Sequence, residues 1–326
     1  MPRYPKRVRC YREYTDDFIG SGEGRDVSFD YFADRTLGYR IGSFVLYRLI
    51  ATPIAFLHSA LFIRQRVLGR DKLRTYRREV KRANGGRANE GRKHGARKNA
   101  RTENGRIEDG RKKNGRMKNG TPSAGVSADK PREITPGVLL VCNHSERVGD
   151  AFTPSVVAFP VRTHVVVHPD NLALPVLGRL TSMLGAIPVP HDLPSARCFS
   201  RSVADKLARG HAVAVYPEAH LWEKYTGIRP FADSALDPAV RCGAPVFTCT
   251  RVYLRRPVVG YVTRLYIDGP FYPDPSLPRS AACRELSERV RTRMQERASE
   301  SNVEVIKYIK EENLEEKIPE EKIPED

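Results

Sequence analysis

Gly137-Val138-Leu139-Leu140-Val141-Cys142-Asn143-His144-Ser145-Glu146-Arg147-Val148-Gly149-Asp150-Ala151-Phe152 reads as a short apolar strand that stops in a polar loop and then opens a helix at Asp150. Val138 to Cys142 is an unbroken β-branched and leucine run, the pattern of a strand covered on both faces in a parallel sheet. His144 and Asp150 fall just past its carboxyl end, the edge at which open α/β sheets place their ligand sites. An imidazole with a carboxylate against its far nitrogen is a general base: the acid fixes the tautomer and stabilises the imidazolium that forms when the other nitrogen takes a proton. Five residues lie between the two side chains. A regular helix turns each added residue by about 100°, so the intervening residues must form a loop that lets Asp150 reach back.

Downstream the chain alternates apolar strands with helical patterns. Strands are predicted at His164–Val167, Ala186–Val189, Ala212–Tyr216, Pro245–Thr250 and Val258–Asp268. Helices are predicted from Asp150 to about Val157, from Leu172 to Met183, from Ser200 to a stop at Gly210 with Phe199, Val203 and Leu207 on one stripe, and from about Ser280 to Arg297. This order predicts an α/β fold, a mixed and largely parallel sheet flanked by helices.

Two more strand ends repeat the first. Leu184-Gly185-Ala186-Ile187-Pro188-Val189-Pro190 is one; His211-Ala212-Val213-Ala214-Val215-Tyr216-Pro217-Glu218-Ala219-His220-Leu221-Trp222 is the other. Three such motifs in this order resemble the glycerolipid acyltransferase superfamily, which shows Asn-His followed by Asp, a Gly-Ile-type strand, and a Phe-Pro-Glu-Gly turn. The run from Pro217 to Phe231, with Gly243-Ala244-Pro245-Val246-Phe247 after it, is similar to a bacterial branch of 1-acylglycerol-3-phosphate acyltransferases. The resemblance spans roughly Arg12 to Arg297 apart from one inserted segment, and the third motif is its most specific part. It implies catalysis by His144 and Asp150, with Asn143, Gly185 and Glu218 as the motif positions around the substrate and Glu218 holding the glycerol-phosphate acceptor. The family's Gly after that Glu is Ala219 here, and the usual Arg beyond it is replaced by Leu221 or Trp222. A phosphate-binding guanidinium must then come from elsewhere. Arg229 is the first candidate, with Arg197 and Arg201 next.

Charge and composition bound the rest. The net charge is +17, which calls for an anionic partner: nucleic acid, an acidic membrane surface or a phosphorylated substrate. Residues 77 to 120 hold 16 Lys/Arg against 5 Asp/Glu and almost no apolar side chains, so no core repays the entropy of ordering them. The six cysteines form no Cys-x-x-Cys or His/Cys cluster, and no apolar segment follows the basic N-terminus; both fit a reduced cytosolic thiol set without a structural metal or disulfides. His164 and His168, with three residues between them on a predicted strand, lie too far from each other to share a metal.

Between Ile41 and Arg64 the uncharged part, Leu49 to Ile63, has 15 residues, against the roughly 20 a spanning helix needs, and Arg48 and Pro53 interrupt a longer one. It reads either as two core-packing helices or as a helical hairpin lying in the bilayer interface with Arg48, Arg64 and Arg66 reaching lipid phosphates. The family resemblance implies the second, on the cytoplasmic face of a membrane, peripheral or monotopic. The divisions expected are a lead-in and membrane-associating element (1–76), a disordered basic insertion (77–131), a catalytic domain (132–297) and an acidic tail (298–326).

The reaction implied is transfer of a fatty acyl group from acyl-CoA or acyl-carrier protein to the hydroxyl of 1-acylglycerol 3-phosphate, giving phosphatidic acid, with no cofactor and no metal. Its partners are a lysophospholipid acceptor, an acyl donor and a membrane surface. The rival is a basic nucleic-acid or membrane-surface binding protein on an inactive acyltransferase scaffold, its function carried by residues 77 to 120. Basic tracts that bind nucleic acid interleave aromatics for stacking, and this one has none, which weighs against nucleic acid.

Overall fold

The computed structural model describes residues 4–18, 36–83, 137–173, 177–190 and 192–312. The chain divides into two compact units, residues 1–76 with 135–326, and residues 77–134; the sheets and the site lie in the first. Of the stretch 77–131 expected to be disordered, only residues 77–83 are described, and they are helical; residues 84–131 and the part of the acidic tail beyond 312 lie outside the described residues.

The elements in chain order are β1 (Arg7–Tyr11), α1 (Leu37–Val45), a π-helical segment (Leu46–Ala51), α2 (Thr52–Leu61), β2 (Gln65–Leu68) and a helix α3 over residues 70–83. Then come β3 (Val138–Cys142), α4 (Gly149–Ala158), β4 (Thr163–Val167), α5 (Asp170–Ala173), α6 (Leu177–Leu184), β5 (Ala186–Pro188), α7 (Leu193–Ala208) and β6 (Ala212–Val215). A 3-10 turn (Asp233–Leu236) leads to α8 (Asp237–Cys242), β7 (Val246–Arg256), β8 (Gly260–Phe271), α9 (Arg279–Ala298) and β9 (Ile306–Lys310).

Seven strands make one sheet in the order β2-β8-β7-β3-β6-β4-β5, parallel throughout except for the antiparallel β7/β8 pair. This is the mixed, largely parallel α/β sheet expected. β3, all five residues of it buried, is the central strand. Its side chains alternate between faces. Leu139 and Val141 join Val213, Val215 and Val246 in a core closed by Val203 and Leu207 of α7 and by Leu286, Val290 and Met294 of α9. The first and third motifs therefore leave the sheet from neighbouring strands, β3 and β6, at the same edge.

Several expectations are corrected. Leu37 to Leu61 is one continuous 25-residue helix instead of a hairpin. The π-segment absorbs the proline: Pro53 has no N–H to give, and the ladder steps around it, with both the N–H and the hydroxyl of Thr52 donating to the Tyr47 carbonyl. Arg48 turns to the protein, donating to the Pro160 carbonyl at 3.0 Å and stacking on Phe159, and Arg66 lies within β2. α7 begins two turns before Ser200, at a capping box in which Asp192 accepts from the Ser195 N–H (2.6 Å) and the Ser195 hydroxyl accepts from the Asp192 N–H (3.1 Å). The irregular lead-in and the acidic tail each contain a strand, since β1 pairs in parallel with β9.

Candidate active site

His144 and Asp150 meet. Residues 143–148 form the required loop, and Asp150 sits in the first turn of α4 with its carboxylate turned back. Asp150 Oδ2 lies 2.8 Å from His144 Nδ1 and accepts the backbone N–H of Ser145 and of Glu146, each at 3.0 Å. The other oxygen, Oδ1, is held by the Arg251 guanidinium. Burial by itself would raise this carboxyl, but Arg251 and His144 outweigh it and bring it below its ordinary value, so Asp150 is an anion. An anion only accepts, so Nδ1 carries the hydrogen and the Nε2 lone pair is left free to take a proton. The ring packs against Tyr216 with centroids 4.8 Å apart, and the Tyr216 hydroxyl donates to the Asp150 carbonyl at 2.5 Å.

Arg251, fully buried on β7, organises the back of this site. Its Nη2 donates to the Thr153 hydroxyl at 2.7 Å and its Nε to the Gln65 side chain at 3.2 Å. Its backbone N–H and carbonyl are both taken by the Asn143 amide, at 2.8 and 3.1 Å. Asn143 is buried and thereby ties β3 to β7. Ser145 is engaged as well, its hydroxyl accepting from Tyr253 at 2.9 Å, and Cys142 is a buried free thiol whose hydrogen bond with the Cys249 thiol, together with burial, raises its pKa well above the usual value. Neither is set up as a nucleophile.

Glu218 is 6% exposed and reaches His144 from below: Oε2 accepts the His144 backbone N–H at 3.1 Å, and Oε1 accepts the Arg229 N–H at 3.0 Å. Two further backbone bonds, Trp222 N–H to the His144 carbonyl (3.3 Å) and Lys224 N–H to the Ser145 carbonyl (2.9 Å), lace the first loop to the third. Burial raises the Glu218 carboxyl, with Arg229 pulling the other way. Arg229, expected at a ligand phosphate, is 0% exposed; its guanidinium binds Glu218, the His220 carbonyl and, at 3.1 Å, the Tyr14 carbonyl, and stacks on Trp222. Gly185 is buried at positive φ, where an added Cβ would stand 3.0 Å from the Thr163 carbonyl and the His164 ring; it shapes the turn into β5.

A groove of about 1800 Å³ opens in front of the imidazole. Its walls include His144, Arg147, Val165, Phe199 and Val215, and the arginines Arg197 and Arg201 on α7. Of the expected site residues, then, His144, Asp150 and Arg197 border the groove, and Asn143, Glu218, Arg229 and Gly185 stand behind it. Arg251 escaped the sequence reading. Its signal was a lone charge inside the apolar run Val246–Leu254.

Residues 125–252 match the family model described as Acyltransferase. The chain carries an acyltransferase domain. Among solved structures the chain is similar to the crystal structure of the 1-acyl-sn-glycerophosphate (LPA) acyltransferase PlsC from Thermotoga maritima, at 19% identity and a TM-score of 0.36, over 51% of this chain and 70% of that one. A comparison with curated proteins gave no match. Within the acyltransferase domain, the pair formed by His144 and Asp150 is the group equipped to move a proton at the groove.

Proposed function

We propose that the protein transfers a fatty acyl group from a thioester donor, acyl-CoA or acyl-carrier protein, to the free hydroxyl of 1-acylglycerol 3-phosphate. The observation that carries this reading is the 2.8 Å contact between His144 Nδ1 and an anionic Asp150 at the wall of an arginine-bearing groove. His144 Nε2 takes the hydroxyl proton as the oxygen attacks the thioester carbonyl, and Asp150 stabilises the imidazolium. When the tetrahedral adduct collapses, the C–S bond breaks and the imidazolium returns the proton to the departing thiolate. Asn143, Glu218, Arg229 and Arg251 hold the loop, and the acceptor phosphate falls to the exposed guanidiniums Arg147 and Arg197.

The acceptor is a lipid, and the helix Leu37–Leu61 supplies the means to reach it. Leu37, Ile41, Phe44, Leu49, Leu57 and Leu61 are all more than half exposed along it, a stripe left open among the described residues. We read it as the surface that rests in a bilayer, on the cytoplasmic face. The test uses purified protein, radiolabelled acyl-CoA and a panel of lysophospholipids: label should move to 1-acylglycerol 3-phosphate, and His144→Ala should abolish that transfer while keeping the wild-type circular dichroism spectrum. Near wild-type turnover by that variant would refute the mechanism.

A further inference from the structure

The groove is larger than one acceptor needs. Small-molecule pockets run to about 1000 Å³, and this one exceeds that while continuing past α7 to the first turns of α8 and α9. There it is walled by four arginines, Arg201, Arg241, Arg279 and Arg284, drawn from three helices. Asp237 stands among them and binds two: its Oδ2 accepts from Arg241 Nε at 2.7 Å and its Oδ1 from Arg279. One carboxylate thus fixes two guanidiniums in place, and each keeps further N–H donors free. Arg201 and Arg284 are exposed and, among the described residues, have no hydrogen-bond or ion-pair partner. Asp233 also lines this end, so the four arginines and two aspartates leave two net positive charges, a poor arrangement for stability and a good one for a ligand with several phosphates.

The chemistry of the two substrates says which of them needs it. In 1-acylglycerol 3-phosphate the reacting hydroxyl and the phosphate sit on adjacent carbons, so that phosphate stays close to His144, within reach of its neighbour Arg147. In a coenzyme A thioester a long pantetheine arm separates the reacting carbonyl from a diphosphate and a ribose phosphate. Resting on the acyl-transfer reading above, we infer that the α7–α8–α9 end of the groove is a second anion site, one that grips the nucleotide phosphates of a coenzyme A donor through Arg201, Arg241, Arg279 and Arg284.

The experiment is calorimetric titration of the full chain with free coenzyme A, with adenosine 3′,5′-bisphosphate and with glycerol 3-phosphate, in low and high salt. Arg201→Ala and Arg284→Ala, both exposed changes checked by circular dichroism, should each weaken coenzyme A and the bisphosphate about tenfold, the loss of one charge-assisted contact, and leave glycerol 3-phosphate unchanged. Absence of coenzyme A binding, variants that bind it like the wild type, or an equal loss for glycerol 3-phosphate would each overturn the assignment; the last would make the cluster the acceptor site, and the first would leave a carrier protein as donor. Binding through these arginines by a protein that transfers no acyl group would sink the reaction and keep the site. Transfer from acyl-CoA unaffected by either variant would do the reverse.

Discussion

Asp150 receives four hydrogen bonds on two oxygens, and each has a separate use. The bond to His144 sets the tautomer, the two backbone bonds set the loop, and Arg251 keeps the acid ionised inside the protein. Asp150→Asn should let the imidazole turn to the wrong tautomer, lowering kcat by roughly 10³ with little change in KM in steady-state kinetics, and should also lower Tm because Arg251 is left buried without its counterion. A second outcome concerns Ala219, which has φ of 63°, in the region that favours glycine. A side chain there costs about 1 kcal/mol, so Ala219→Gly should raise Tm by a few degrees without lowering turnover. The sequence shows this position as the family's glycine replaced; the backbone angle explains why glycine is preferred. It was less able to separate Glu218 and Arg229 from ligand contacts. A polar residue in a loop after a strand can face the groove or the interior, and only the packing of Trp222 and Tyr14 around them sends both inward.

At the level of elements, the central strands and their helices were readable because burial on both faces leaves an unmistakable apolar run, as in β3 and β6. The elements that escaped are those whose signal is shared with a distant partner. β1 and β9 are short, half polar, and pair across nearly the whole chain, so no local window contains the reason for either. The helix Leu37–Leu61 escaped for another reason: the rule that proline stops a helix assumes an α ladder, and a π-turn removes the assumption. Its exposed stripe gives the element's own prediction. Leu49→Lys with Leu57→Lys should cut co-sedimentation with anionic vesicles by at least tenfold, each buried leucine being worth about 2 kcal/mol, while leaving turnover on a short-chain, water-soluble acceptor intact. Unchanged sedimentation would show that the stripe serves something other than a bilayer.

The whole molecule has an acid-sensitive joint. His164 Nε2 and His211 Nδ1 are 3.0 Å apart between β4 and the start of β6, and His164 Nδ1 lies 3.2 Å from the Gly185 carbonyl. Burial, with Arg162, His211 and Lys206 nearby, holds His164 well below 6.5; burial, with Arg162, Lys206 and Arg209 against only Asp205, brings His211 down to about 4. Unfolded imidazoles take protons near 6.5, so between that value and about 4 the unfolded chain binds more protons and stability falls as pH falls. The loss should appear as a falling unfolding free energy in denaturant titrations across that pH range and should shrink in His211→Gln. Asp150 and Asp268, both held low, contribute only at more acid pH, and Glu218, held high, opposes the trend. Removal of residues 84–131 is a separate test at this scale: an enzyme keeps its turnover, whereas a protein whose function lies in the basic segment loses its partner.

The pairing of β1 with β9 reaches further than its two strands suggest. Trp222 Nε1 donates to the Asp16 carbonyl at 2.8 Å, Tyr308 donates to the Glu223 carbonyl at 2.9 Å, and Arg229 holds Tyr14, so this terminal ribbon leans on the loop that braces His144. A two-stranded ribbon is the weakest kind of sheet. Gentle warming should therefore act on it like a fuse, silencing turnover several degrees before the seven-stranded sheet melts and returning it on cooling.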